Sequence, residues 1–274
     1  MLFLMLAFPL SQVSAASLPH QVTNVRDKAF CVSWVTDITE TGSVNYGISP
    51  GNLNATVYDD RGQLITDDTH HVTITGLNPG TTYFYEIISG GVTYNSSGSP
   101  YQLTTGPNLE FTMPEMISGR VYKSNGAKAE GTIIYVGVGA SQVLSSLVND
   151  QGAWALDIAP IRTADYQAYV AYTNDDSVSL NARGGGAGTA TATITMVMAK
   201  GGALETTLAG GAEQDTPSAA SGDIVGNGSG SDGVQPGIFT TQSGSIHWWV
   251  WLVIGLVAAG IVGFLLKKLV FYHD

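Results

Sequence analysis

Residues Gly76–Ile87 read GLNPGTTYFYEI, and the reading of this stretch decides the fold. Asn78, Pro79 and Gly80 are turn formers: Pro presets φ, and Gly accepts the left-handed region without a steric cost. Beyond the turn, Tyr83, Tyr85 and Ile87 recur at every second position, the period of a half-buried strand. Upstream, AFCVSW places Phe30, Val32 and Trp34 on one face, GSVNYGIS runs into the turn SPGN, and HHVTIT sets Val72 beside Ile74. Short alternating strands with turns at about 8–12 residue intervals predict an antiparallel β-sandwich over residues 18–106.

A second set of strands follows over residues 112–200. ISGRVY, GTIIYVGV, LSSLV, WALDI, YQAYVAY and TATITMVM read as strands, separated by the turns SNGA and NDQG. Trp154, Leu156 and Ile158 share one face of WALDI. Arg183 and the run GGGAG (Gly184–Gly188) read as a loop. A phosphate-cradling loop needs a Lys and a following helix, and a Thr-rich strand follows instead. The predicted fold class is all-β: two tandem β-sandwich domains, a disordered stalk and one C-terminal transmembrane helix.

The 274 residues carry a net charge of −11 and a pI near 4.6, with no Lys or Arg between Gly201 and Leu266. No basic stripe exists to neutralise phosphates, which sets nucleic-acid binding aside. Cys31 is the single cysteine, so neither an intramolecular disulfide nor a cysteine metal cluster forms. Its strand context predicts a half-buried structural thiol; a reactive one needs a basic partner, and the sequence identifies none. His70 and His71 are adjacent strand positions that point to opposite faces and converge poorly on one metal, so both are read as structural or exposed. No metal, cofactor or catalytic residue is assigned.

Both ends read as membrane-directed. Leu2–Leu10 is an apolar run followed by small residues, the pattern of a signal peptide over residues 1–16 with cleavage after Ala15 or Ala16. Trp248–Leu266 is uncharged throughout, and at 1.5 Å per residue it covers about 28 Å, enough for one bilayer span. Trp248, Trp249 and Trp251 suit one interface. Lys267 and Lys268 suit the cytoplasmic one, which places the N-terminus outside and leaves a short cytoplasmic tail, residues 267–274. The span is taken as residues 247–266, and the expected location is the cell membrane with the bulk of the chain extracellular. Gly255, Ala259 and Gly263 line one helical face, the small-residue spacing that lets two helices dimerise. Residues 201–246, rich in Gly, Ser, Thr and Ala, read as a flexible stalk with an r.m.s. reach of roughly 35 Å. GDIVGNG (Gly222–Gly228) within it faintly matches phosphoesterase metal ligands but lacks their large α/β sheet. Sequons at Asn54, Asn95 and Asn227 are candidate glycosylation sites.

WVTDITETGSVNYGISPGNLN, HHVTITGLNPGTTYFYEI and YQLTTGP together resemble a fibronectin type III domain, of the variety that precedes the catalytic domain of purple acid phosphatases. The residues carrying the resemblance are Trp34, Tyr46-Gly47 and Leu77 to Tyr85. It implies a tyrosine corner: Tyr83 packs inward with its hydroxyl bonded back to the corner, Leu77 lies beneath, and Pro79-Gly80 make the turn. Trp34, Leu77, Pro79, Gly80, Tyr83, Tyr85 and Trp154 are thus read as structural. The ligand-bearing Asn-His motifs of the phosphatase domain are missing. The second module resembles carboxypeptidase regulatory-like sandwiches, similar in fold to transthyretin. These resemblances imply a non-catalytic surface protein for adhesion, protein recognition or envelope organisation, with an extracellular protein or glycan as partner. Exposed loops such as Tyr58–Gln63 are the candidate contacts. The rival reading is an accessory or anchoring subunit of an extracellular enzyme such as a metallophosphatase.

Overall fold

The computed structural model describes residues 17–210 and 238–241. The first module contains β1 (His20–Thr23), β2 (Ala29–Gly47), β3 (Ala55–Tyr58), β4 (Thr66–Thr75), β5 (Thr82–Ser89), β6 (Val92–Tyr94) and β7 (Tyr101–Thr104). AFCVSW and GSVNYG, expected as two strands, form one strand of 19 residues. Its first half pairs antiparallel with β1 and β4, and its second half with β3 and β5. The register to β4 shifts between Val35 and Glu40, so the strand changes sheets there instead of ending. Side chains from both halves then close one core, in which Phe30, Trp34, Val44, Ile74, Tyr85 and Ile87 are all buried.

The second module contains β8 (Met116–Tyr122), β9 (Ile133–Val138), β10 (Leu144–Leu147), β11 (Ala153–Asp157), β12 (Ser177–Arg183), β13 (Thr189–Thr195), α1 (Met196–Lys200), β14 (Leu204–Thr207) and β15 (Ile238–Thr241). Two four-stranded sheets, ordered β10-β9-β12-β13 and β11-β8-β14-β15, form a second sandwich. Ile117, Val136, Trp154, Leu156, Leu180 and Leu204 fill its core. Both modules belong to one compact unit.

Four sequence expectations change here. YQAYVAY is not a strand: Tyr166 sits at φ 64°, and the segment turns back through Thr163 N–H to Ala168 O and Val170 N–H to Ile161 O. TATITMVM is a strand only to Thr195. There Met196 and Val197 donate to the carbonyls of Asp176 and Asn174, and the chain coils into α1, burying Met196 and Ala199. Arg183 lies in β12; the glycine run begins after it and forms a short 3-10 turn, Gly185–Ala187. The chain also does not leave the sandwich at residue 200. Leu204–Thr207 pairs in parallel with β8, and Leu204, Thr206 and Leu208 alternate inward, fully buried. Ile238–Thr241 then pairs antiparallel with β14. One inward residue in two is enough to hold an edge, a signal too sparse to stand out in a Gly- and Thr-rich segment.

The expected signal peptide, the remainder of the stalk, Asn227, the span with Gly255, Ala259 and Gly263, its flanking Trp248, Trp249, Trp251, Lys267 and Lys268, and the tail lie outside the described residues. Among the described residues, no helix is long and apolar enough to cross a membrane.

Candidate functional site

The two modules are joined by polar side chains reaching across to backbone. Asn24 follows β1 at φ 55°, a left-handed conformation that Asn tolerates better than most residues. Its Nδ2 donates to Ser145 O at 2.9 Å, and its Oδ1 accepts from Ser145 N–H at 2.9 Å. From the other side, Gln142 Oε1 accepts from Val25 N–H at 2.8 Å, and its Nε2 donates to Val25 O at 3.0 Å. Each side-chain amide takes the place of a neighbouring strand. Asn24 thereby covers the edge of β10, which would otherwise present unpaired backbone groups. Thr69 Oγ1 donates to Gly131 O at 2.7 Å, Gly186 N–H to Asp68 Oδ2 at 2.7 Å, and the hydroxyls of Ser33 and Tyr135 bond at 2.9 Å. Val25 and Ser33 are fully buried, and Gln142 and Tyr135 are 5% exposed, so water competes little for these bonds.

At the centre of this junction Cys31, His71 and Asp60 stand in line. Cys31 Sγ lies 3.2 Å from His71 Nε2, and Asp60 Oδ2 lies 2.7 Å from Nδ1. Nε2 also meets Ser145 Oγ at 2.9 Å. Burial pushes the imidazolium pKa down, but the sulfur and the carboxylate outweigh it and carry it up to about 10. The basic partner of Cys31 that the sequence did not identify is therefore His71, and the thiol is fully buried, not half-buried. Thiol, imidazole and carboxylate are the parts of a nucleophilic site. Here Cys31 has no exposed surface and lines neither cavity described below, so the thiol is closed off from solvent in this arrangement.

His70 points the other way, as alternation demands, and stacks on Trp34 with ring centroids 4.9 Å apart. Its Nδ1 lies 3.5 Å from Asp59. Asp59 is buried, which raises its pKa; contacts from His70 and Arg61 more than offset this and hold the carboxyl well below the usual range. Arg61 Nε donates to Asp59 Oδ1 at 2.8 Å, and its other nitrogens bond Asp67 and the Thr69 carbonyl. The Tyr58–Gln63 loop, expected as an exposed candidate contact, is anchored through Asp59 and Arg61, while its Tyr58 is 40% exposed.

Beside the joint, a cleft of about 620 Å³ opens between the modules. His20, Trp34, Asp37 and Tyr94 line it from one side, and Tyr135, Arg183, Gly185 and Thr189 from the other. A space of this size, with aromatic walls and a few polar groups, suits a bound ligand or side chain. A second cavity of about 670 Å³ lies on the first module beside Pro50, Phe84, Tyr101 and Gln102. It is the larger, but the inter-module cleft has contributions from two rigidly held surfaces and is the stronger candidate. Among the described residues, no group of three or more His, Cys, Asp or Glu side chains is placed to hold a metal ion.

The residues read as structural fall where cores and corners need them. Trp34, Leu77, Tyr83, Tyr85 and Trp154 are all buried. Tyr83 OH accepts from Asn78 N–H at 2.9 Å, which closes the corner. Pro79 and Gly80 are exposed at its tip, with Gly80 at φ 58° and its N–H on Gly106 O. Asn54 is exposed, whereas Asn95 is only 8% exposed. Its Nδ2 donates to Glu86 and its Oδ1 accepts from Gly98 N–H, so a glycan there would have to break that pairing. The joint residues Asn24, Gln142, Ser145 and Asp60 carried no sequence signal. The Asn24 and Ser145 partners are 121 positions apart, and an isolated polar residue does not announce a distant backbone.

Residues 18–105 match the model of the purple acid phosphatase N-terminal domain family, which makes the first module fibronectin type III-like. The match ends before the second module. The crystal structure of the chicken CNTN1 FN1–FN3 domains is similar at 11% identity, covering 60% of this chain and 58% of that one, with a TM-score of 0.22. That superposition is too loose to support an argument about arrangement. No curated protein matches the chain.

Proposed function

We propose that this protein is a single-pass surface protein that presents its two sandwich modules as one rigid recognition unit. The reading rests on the reciprocal Asn24–Ser145 and Gln142–Val25 clamps, which join the modules through buried bonds. Fibronectin type III-like modules are interaction and adhesion units, and the cleft beside the clamps is where a partner would touch both modules at once. The apolar run at Trp248–Leu266 supplies the anchor, and the modules face outward. The partner is an extracellular protein or glycan, and the unit is non-catalytic.

The test is proximity labelling and affinity capture with the full chain in nanodiscs. A partner retained by the wild type and lost when Asn24→Ala and Gln142→Ala unlock the modules supports the reading. Hydrolysis of a phosphate ester by the purified chain with added divalent metals would overturn it. A second reading, an accessory or anchoring subunit of an extracellular metallophosphatase, is favoured by the family matched over residues 18–105. It requires that a phosphatase activity co-purify with the chain, and a capture free of such activity rejects it.

A further inference from the structure

Exposed apolar surface is unevenly distributed. Among the described residues, five of the ten strongly exposed large apolar side chains, Phe111, Met113, Met116, Val197 and Met198, fall in two short segments. The segments meet: Lys200 at the end of α1 pairs with Glu115, the neighbour of Met116, at 2.8 Å. Tyr172 OH donates to the same carboxylate at 2.6 Å. Single exposed apolar residues are ordinary, but a cluster of this kind marks a surface that is covered in use. Methionine adds a flexible, polarisable side chain suited to a partner without fixed shape.

Strand register shows which end of the sandwich carries the cluster. β14 runs parallel to β8 with Leu204 opposite Gly119. α1 lies just before Leu204 and Met116 just before Gly119, so both approach the sheet from one end. β15 runs antiparallel to β14 with Thr241 opposite Leu204, so the chain leaves the sheet at that same end. Residues 242–247 alone separate Thr241 from Trp248, the start of the uncharged run. Fully extended, they reach at most roughly 25 Å. The tether to the run is therefore far shorter than a stalk of residues 201–246 would make it.

We infer that the surface formed by Phe111, Met113, Met116, Val197 and Met198 seats in the headgroup region of the bilayer that the C-terminal run enters. The inference rests on reading residues 248–266 as a span. Among the described residues, Glu115 and Asp176 flank the cluster, and Lys200 beside it is paired with Glu115. The fit is thus to a zwitterionic lipid surface through apolar insertion, not to anionic headgroups.

The full chain, reconstituted in phosphatidylcholine vesicles, tests this. A polarity-sensitive fluorophore is placed at Met198→Cys or, as a reference on the first module, at Leu64→Cys. Leu64 is 88% exposed, and Cys31 is buried beyond the reach of the label. The expected result is a blue-shifted probe at position 198, quenched by spin-labelled lipid at least about twofold more than the probe at 64, as insertion of 5–10 Å would give. Adding Val197→Asp and Met113→Asp should return the quenching to the reference level. Equal quenching at both positions in a chain that resists carbonate extraction overturns the docking and leaves the anchor standing. Extraction by carbonate overturns the anchor and the docking with it. A blue shift without lipid quenching means that protein covers the surface, and also overturns the docking.

Discussion

Replacing Gln142 by Ala measures what the joint is worth. Gln142 is 5% exposed and makes two bonds to Val25, which is fully buried. Each bond contributes about 1 kcal/mol net, and a buried N–H or C=O left unpaired costs about 1–3 kcal/mol. With some relief from relaxation, the truncation should weaken the joint by about 2–4 kcal/mol. The Asn24 clamp and the Ser33–Tyr135 bond remain, so the modules stay folded while the joint opens more often. Hydrogen exchange of the full chain in mild detergent, resolved by mass spectrometry, reads this directly. Amides around Val25 and in β10 should exchange roughly 30- to 1000-fold faster, while the core of β12 stays protected. Gln142→Glu keeps the acceptor for Val25 N–H but sets a buried carboxylate against the Val25 carbonyl, so at neutral pH it should open the joint at least as much as the alanine variant. Exchange at Val25 and Ser145 within about threefold of wild type would refute the reasoning, because buried bonds cannot be lost so cheaply.

Three further outcomes are expected. Tyr83→Phe removes only the hydroxyl that accepts from Asn78 N–H and should cost about 1 kcal/mol or a little more in urea unfolding; an unchanged midpoint would remove the corner as a lock. At Gly119, an added Cβ would run into the Leu204 carbonyl and come within 2.7 Å of Trp154 Nε1, so Gly119→Ala should destabilise by about 1–3 kcal/mol and loosen β14. Unaltered exchange at Leu204–Thr207 would contradict the place given to that strand. His71 has a folded pKa of about 10 against an ordinary 6.5, so its stabilisation is complete below about pH 6.5 and is lost as pH rises toward 10. The urea midpoint should fall over that range in the wild type and fall less in His71→Gln; parallel curves would show that His71 bears no charge in the joint.

The first module was legible because each of its signals is local. Phe30, Val32 and Trp34 alternate within one hexapeptide, and Asn78 to Tyr83 carry the corner within six residues. Trp154, Leu156 and Ile158 did the same for the second. YQAYVAY misled because Tyr and Val are strand-favouring residues, yet two of the tyrosine hydroxyls serve the linker, Tyr169 on Glu110 O and Tyr172 on Glu115. MVM misled because nothing in it shows that the carbonyls of Asn174 and Asp176 wait to start a helical turn.

By itself the sequence determined the periods: strands of period two, a turn with Pro and Gly, and a long uncharged run. These follow from steric and hydrophobic rules acting over a few residues, so they can be read without knowing what lies across the core. Only the tertiary structure decided which polar residues meet. Cys31 met a base because β2 and β4 pair in the register that sets Cys31 opposite Thr73 and brings His71 alongside. Asn24 and Gln142 became clamps because the modules pack with Val25 against Gln142 and Ser145 against Asn24. Leu204–Thr207 became a strand because β8 offered it a free edge. Hydrogen bonds depend on distances of tenths of an ångström between residues far apart in the chain, and that information exists only once the chain has folded.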